Sequence, residues 1–227
     1  MGEAARAIAT LQPVDNKAMA TAFATFPHAE DRNVLREISW DIYVQLCDQN
    51  QSKATRMAYF EGELEIMTVG CLHESAKDLI HYMFGIIAES LGVDFLGRGH
   101  HTFKHAKKRI GFEADLSYYV SNLDRVRRLP KIDLECDPPP DLVVEVDISR
   151  NSERKLLMYA ALGIPEVWRC EGGTIRIYRL AGREYKSVAK SSILRGVTAA
   201  QLTKLLAEGE RMNRLAWFGL VRKSVGV

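Results

Sequence analysis

Apolar positions along this chain recur with two periods, and the switching between them predicts its elements. In residues 73–91, Ala76, Leu79, Ile80, Met83, Ile86, Ile87 and Leu91 fall three and four apart, which is one face of a helix. Gly92 follows where a left-handed cap is wanted. A shorter helix is expected after Ser39, a good capping residue, with Trp40, Tyr43, Val44 and Cys47 at helical spacing. Residues 56–67 read as two short strands around the turn Glu61-Gly62. Residues 94–103, 112–120 and 142–148 read as further strands. A helix over 152–162 is closed by Gly163 and Pro165, and strands 166–170 and 174–180 flank the turn Glu171-Gly172-Gly173. A further strand over 185–190 and a closing helix over 199–208 complete the pattern. The expected class is α/β (α+β), a single mixed central β-sheet flanked by helices. Residues 1–33 mix Ala, Thr and Pro without a sustained period, so a loosely ordered extension is expected there, followed by one domain over 34–227.

The chemistry concentrates in the run Pro138-Pro139-Pro140-Asp141-Leu142-Val143-Val144-Glu145-Val146-Asp147-Ile148. Three prolines lack backbone N–H groups, so a strand can begin only after them. Beyond them Leu142, Val144, Val146 and Ile148 share one face, and Asp141, Val143, Glu145 and Asp147 the other. A strand so rich in β-branched residues suits the interior of a sheet, where Glu145 and Asp147 need something to neutralise them. A divalent cation would do so. The run Glu113-Ala114-Asp115-Leu116-Ser117-Tyr118 repeats the device, with Glu113, Asp115 and Ser117 on one face. If the two strands are neighbours, Asp115 and Glu145 converge within one coordination shell, and their hard oxygens favour Mg²⁺ or Mn²⁺. The alternative is that these acids line the solvated face of an antiparallel sheet. Asp147 either joins them as a third ligand or points past the site into solvent.

Composition narrows the field only a little. Of the 227 residues, 47% are hydrophobic and 26% charged, which is ordinary for a globular domain. With a net charge of +2, any nucleic acid must be held by a local patch, for which His100-His101-Thr102-Phe103-Lys104-His105-Ala106-Lys107-Lys108-Arg109 is the best candidate. Charge runs more often form a solvated hairpin, which is the favoured reading of that segment. Cys47, Cys71, Cys136 and Cys170 stand far apart without a CxxC pair, which argues against a thiolate zinc site. No signal segment or membrane-spanning run is read, so the expected location is the cytoplasm with free thiols.

Three stretches, Glu113-Ala114-Asp115-Leu116-Ser117-Tyr118-Tyr119-Val120, the Pro138 run and Tyr159-Ala160-Ala161-Leu162-Gly163-Ile164-Pro165-Glu166-Val167-Trp168-Arg169, together resemble the Uma2 family of restriction-endonuclease-like proteins. Residues 62–68 and 72–74 fit the same pattern, and the resemblance covers roughly residues 35–210. It implies the PD-(D/E)XK nuclease superfamily, a restriction-endonuclease-like fold and Mg²⁺-dependent cleavage of DNA. It further implies that Asp115 is the lone acid and Glu145 the acid of the second half-motif, with Glu74 a further candidate beside Glu65 and His73. Where the superfamily places lysine, two residues after Glu145, this chain has Asp147. Lys155, near the start of the following helix, is the replacement candidate; otherwise it is an ordinary solvent-facing residue, and the fold serves for binding DNA or a protein partner without cutting. A homodimer is compatible with double-strand cleavage.

Overall fold

The computed structural model describes residues 30–50, 52, 54–99, 101–147 and 153–225. Most of the expected extension therefore lies outside the described residues, although residues 30–33 already belong to a strand. That strand, β1 (Glu30–Leu35), pairs antiparallel with β3 (Glu63–Val69), which pairs in turn with β2 (Thr55–Phe60). Glu61 and Gly62 join β2 to β3 with φ of 51° and 80°, the two positive values that a tight two-residue hairpin requires. With β5 (Thr102–His105) and β6 (Ile110–Glu113) they form a five-stranded sheet in the order β1-β3-β2-β6-β5. Helix α1 (Trp40–Gln49), capped by the Ser39 side chain, packs on β2.

A second, mixed sheet holds six strands. They are β4 (Leu96–Gly97), β7 (Leu116–Tyr119), β8 (Leu142–Asp147), β9 (Glu166–Glu171), β10 (Thr174–Ala181) and β11 (Glu184–Val188), in the order β11-β10-β9-β8-β7-β4. Strands β8 and β9 are parallel, joined across α4 (Glu153–Leu162), and the other pairs are antiparallel. A short helix, α3 (Leu123–Val126), follows β7.

Three expectations are corrected. The single sheet is two sheets, and the strand over 94–103 is split into β4 in the second sheet and β5 in the first. The single strand over 112–120 is likewise broken, at Ala114-Asp115, with β6 in the first sheet and β7 in the second. Both halves keep alternating apolar residues, so periodicity alone could not locate the break.

The second sheet is covered on both faces. Leu142, Val144 and Val146 pack with α2 (Cys71–Ser90), α5 (Ala199–Arg211) and α6 (Arg214–Ser224). Val143 and Val167 face the other way, into a core with Met158 and Tyr159 of α4 and Phe103 and Phe112 of the first sheet. Helix α6 was not legible in the sequence; Asn213 caps it, and the indole of Trp217 donates to the Leu205 carbonyl at 2.7 Å. Gly209 lets α5 approach, since a Cβ there would lie 2.8 Å from both Leu79 and Trp217.

Candidate active site

Antiparallel pairing sets Leu116 against Val144 and Tyr118 against Leu142. Continuing that register brings Asp115 opposite Glu145, and both are only 2% exposed. Asp115 sits where the chain crosses between sheets. Its Oδ2 accepts the Val146 N–H at 2.8 Å and lies 3.0 Å from Nε2 of His73, a fully buried residue in the first turn of α2.

Glu145 points toward α4, whose residues 155 and 159 stand one turn apart on the facing side. Lys155 Nζ donates to Glu145 Oε2 at 2.6 Å, and the Tyr159 hydroxyl donates to Oε1. Burial, reinforced by the charge and hydrogen bond of Glu145, pushes the Tyr159 phenol well above its usual pKa, so it remains a donor at neutral pH. Lys155 also lies 3.5 Å from Oε1 of Glu65 on β3, and the same oxygen accepts from Arg32 on β1 at 2.9 Å. Thus strands of both sheets and two helices converge on one buried polar cluster. The solvated-face alternative for Asp115 and Glu145 fails because α4 and the first sheet cover that face. The solvent-facing alternative for Lys155 fails too, since it is 7% exposed.

Other sequence candidates are placed differently. Glu74, at the start of α2, is held by Lys77 and lies 3.8 Å from Arg56 Nη2. Partial burial acts to raise its pKa, but Lys77, Arg56 and His73 outweigh it and leave the carboxyl below its usual value. The Asp147 backbone pairs with Glu171, but its side chain lies outside the described residues, so neither reading of it is decided. Glu113, expected beside Asp115, turns into the first sheet and accepts from Thr102 Oγ1 at 2.6 Å and the Met57 N–H at 3.2 Å. The basic hairpin engages its own surroundings. Lys104 pairs with Asp48 at 3.0 Å, Lys107 with Glu135 at 3.3 Å, and Lys108 donates to the Ala161 carbonyl at 2.7 Å. His101 accepts from the Ile132 N–H at 3.2 Å, and His100 lies outside the described residues.

His73, Glu65 and Tyr159 received no firm role from the sequence. For Tyr159 a signal existed, the four-residue spacing from Lys155; its apolar setting hid it. For Glu65 and His73 only the three-dimensional closure of two sheets supplies the contact.

Among the described residues no three His, Cys, Asp or Glu side chains group into a metal-holding cluster. The donor set is a pair of hard carboxylates. That suits Mg²⁺, which is commonly bound by one or two carboxylates with water and substrate phosphate, and does not suit a closed zinc site.

A mixed sheet flanked by helices is the architecture of the restriction-endonuclease-like class. The fold is similar to that of a protein from Anabaena variabilis whose crystal structure is described as that of a "putative nuclease belonging to DUF820". The TM-score is 0.52 at 16% identity, covering 74% of this chain and 99% of that one. Residues 40–209 match the model of the Uma2 family, "Putative restriction endonuclease", and the chain belongs to that family. No curated protein matches the sequence.

Proposed function

We propose that this protein is a metal-dependent endonuclease that hydrolyses phosphodiester bonds of DNA. The observation that carries the reading is the pair of buried carboxylates, Asp115 and Glu145, each one residue beyond the paired Leu116 and Val144, with the Lys155 ammonium 2.6 Å from one of them. Burying such groups is costly unless they are paired, so a buried cluster of two acids and a lysine calls for a functional reason. Asp115 and Glu145 would hold Mg²⁺ or Mn²⁺, with Asp147 a third ligand if its side chain turns inward. The cation, when bound, supplies positive charge to a phosphoryl oxygen and activates water.

The chain's own residues do the positioning. His73 and the Val146 N–H fix Asp115, and Tyr159 fixes Glu145. Lys155 brings a charge that can stabilise the developing anion, the role left open by Asp147 at the usual lysine position. Glu74 assists electrostatically from the start of α2. A cytoplasmic setting agrees with the four free thiols, and a homodimer would place two centres on a duplex. No described helix is long and apolar enough to cross a membrane.

A second reading draws on the same pair. Because Lys155 and Tyr159 already satisfy Glu145, the cluster is also consistent with a nuclease-fold module that binds DNA or a protein without cutting. Supercoiled plasmid incubated with Mg²⁺ or Mn²⁺ separates the two, using wild type beside Glu145→Ala and Lys155→Ala. Cleavage lost in both variants supports the nuclease. Cleavage retained by folded Glu145→Ala overturns it. Salt-sensitive DNA binding without turnover by wild type, in either metal, favours the module.

A further inference from the structure

Lys155 faces two carboxylates. Its ammonium sits 2.6 Å from Glu145 Oε2 and 3.5 Å from Glu65 Oε1, and all three side chains are largely withdrawn from water. Glu65 is anchored from its far side by Arg32, 2.9 Å from the same oxygen, so its carboxylate is held in place by β1 as well as by its own strand. This arrangement puts a monovalent cation against the carboxylate that the proposed function assigns to a divalent one. An ammonium and a divalent cation cannot share one carboxylate without strong repulsion, and a buried ammonium cannot simply be left without a counter-charge.

We propose that Glu65 is a positioning residue that receives Lys155 when a divalent cation engages Glu145. This deepens the metal-dependent reading of the site and rests on it. Lys155 is then the counter-ion of Glu145 until the cation takes its place. Its transfer to Glu65 releases Glu145 while keeping the ammonium charged and paired. Only the flexible end of the lysine has to move, because Glu65 is already within 3.5 Å. The inward carboxylate on β3 and its Arg32 clamp thereby acquire a purpose that neither has in simple strand pairing.

The test is Mn²⁺ binding to the full chain by isothermal titration, with wild type, Glu65→Gln, Lys155→Met and the double variant compared. Far-ultraviolet circular dichroism serves as the folding control. Glu65→Gln should weaken Mn²⁺ binding roughly 5- to 150-fold, the ordinary range for coupled sites, because Lys155 then loses the carboxylate that receives it. Lys155→Met should tighten binding, and Glu65→Gln added to it should change affinity less than about twofold. Glu65→Asp, which keeps the charge but withdraws the carboxylate by one methylene, should also weaken binding, and it serves if the glutamine variant does not fold. Equal weakening by Glu65→Gln with and without Lys155 would reduce Glu65 to a distant field, and unchanged affinity would remove it altogether; either result overturns the proposal. Wild type binding Mn²⁺ no better than Glu145→Gln would instead overturn the metal reading itself, and this inference with it.

Discussion

Tyr159→Phe removes one oxygen from the centre and leaves the ring. The ring is fully buried and meets Phe112 edge to face, with centroids 5.0 Å apart, a packing that phenylalanine keeps. The only loss is the hydroxyl donated to Glu145 Oε1. A hydrogen bond to a charged, buried acceptor is worth about 1.5–3 kcal/mol. At about 2–4 °C per kcal/mol for a domain of this size, the melting temperature should fall by roughly 3–12 °C. The pH dependence sharpens the test. Burial and Glu145 raise the folded phenol well above the ordinary tyrosine value of 10.0, so above that pH the unfolded chain releases a proton that the folded protein retains. This contribution is constant below pH 10.0 and is lost as pH rises beyond it. By pH 11 the wild type has given up stability that Tyr159→Phe cannot lose, so the gap between them narrows. Urea denaturation at pH 7.5 and at 11 measures both gaps. A gap that is negligible at pH 7.5, or that widens at 11, would refute the hydrogen bond to Glu145.

Three further outcomes follow from other contacts. Gly111→Ala should cost about 1–3 kcal/mol by thermal melting, because its Cβ would lie 2.2 Å from the Tyr43 hydroxyl oxygen, and that ring is wedged between Trp40 and Tyr59. Glu166 is fully buried and accepts from Trp168, Ser191 and Ser192, so Glu166→Ala should cost upward of about 3 kcal/mol in urea denaturation. Glu74 has a lowered folded pKa, so its contribution is present above the ordinary glutamate value of 4.5 and lost as pH falls through the folded one. The stability difference between wild type and Glu74→Gln should therefore be visible at pH 7 and vanish on acidification.

Much of the fold could be read because local rules and tertiary packing agree. Ser39 caps α1, Glu61-Gly62 turns β2 into β3, and Gly92 takes positive φ just beyond α2, each as its residue type dictates. The alternation of β8 was also legible, with Leu142, Val144 and Val146 on one face and Val143 and Glu145 on the other. Alternation, however, says which residues share a face and nothing about what covers it. That is why a solvated face remained open until α4 was seen lying over Glu145. Helix α6 escaped because its buried residues, Trp217 and Val221, are too few to print a period; Trp217 is held by a carbonyl of α5.

The break at Ala114-Asp115 explains why the acidic centre was harder to read than the sheet around it. Carried on, the register of β7 with β8 would set Ala114 opposite Val146; instead the Val146 N–H is taken by the Asp115 carboxylate. A side chain has replaced a backbone partner, and the chain leaves for the other sheet at that point. Every strand rule counts a residue such as Asp115 as one more polar position in an alternation. The feature that distinguishes it is a long-range hydrogen bond across 31 residues. The same holds for Glu65, whose partners lie 33 residues before it and 90 after it in the chain. Local pattern is expected to fail where a structure gives up ladder pairing to gather charge, because that concession costs stability and persists only where something is gained. The site is therefore best located by the conflict itself: two buried acids and a buried lysine gathered where a well-patterned strand stops obeying its pattern.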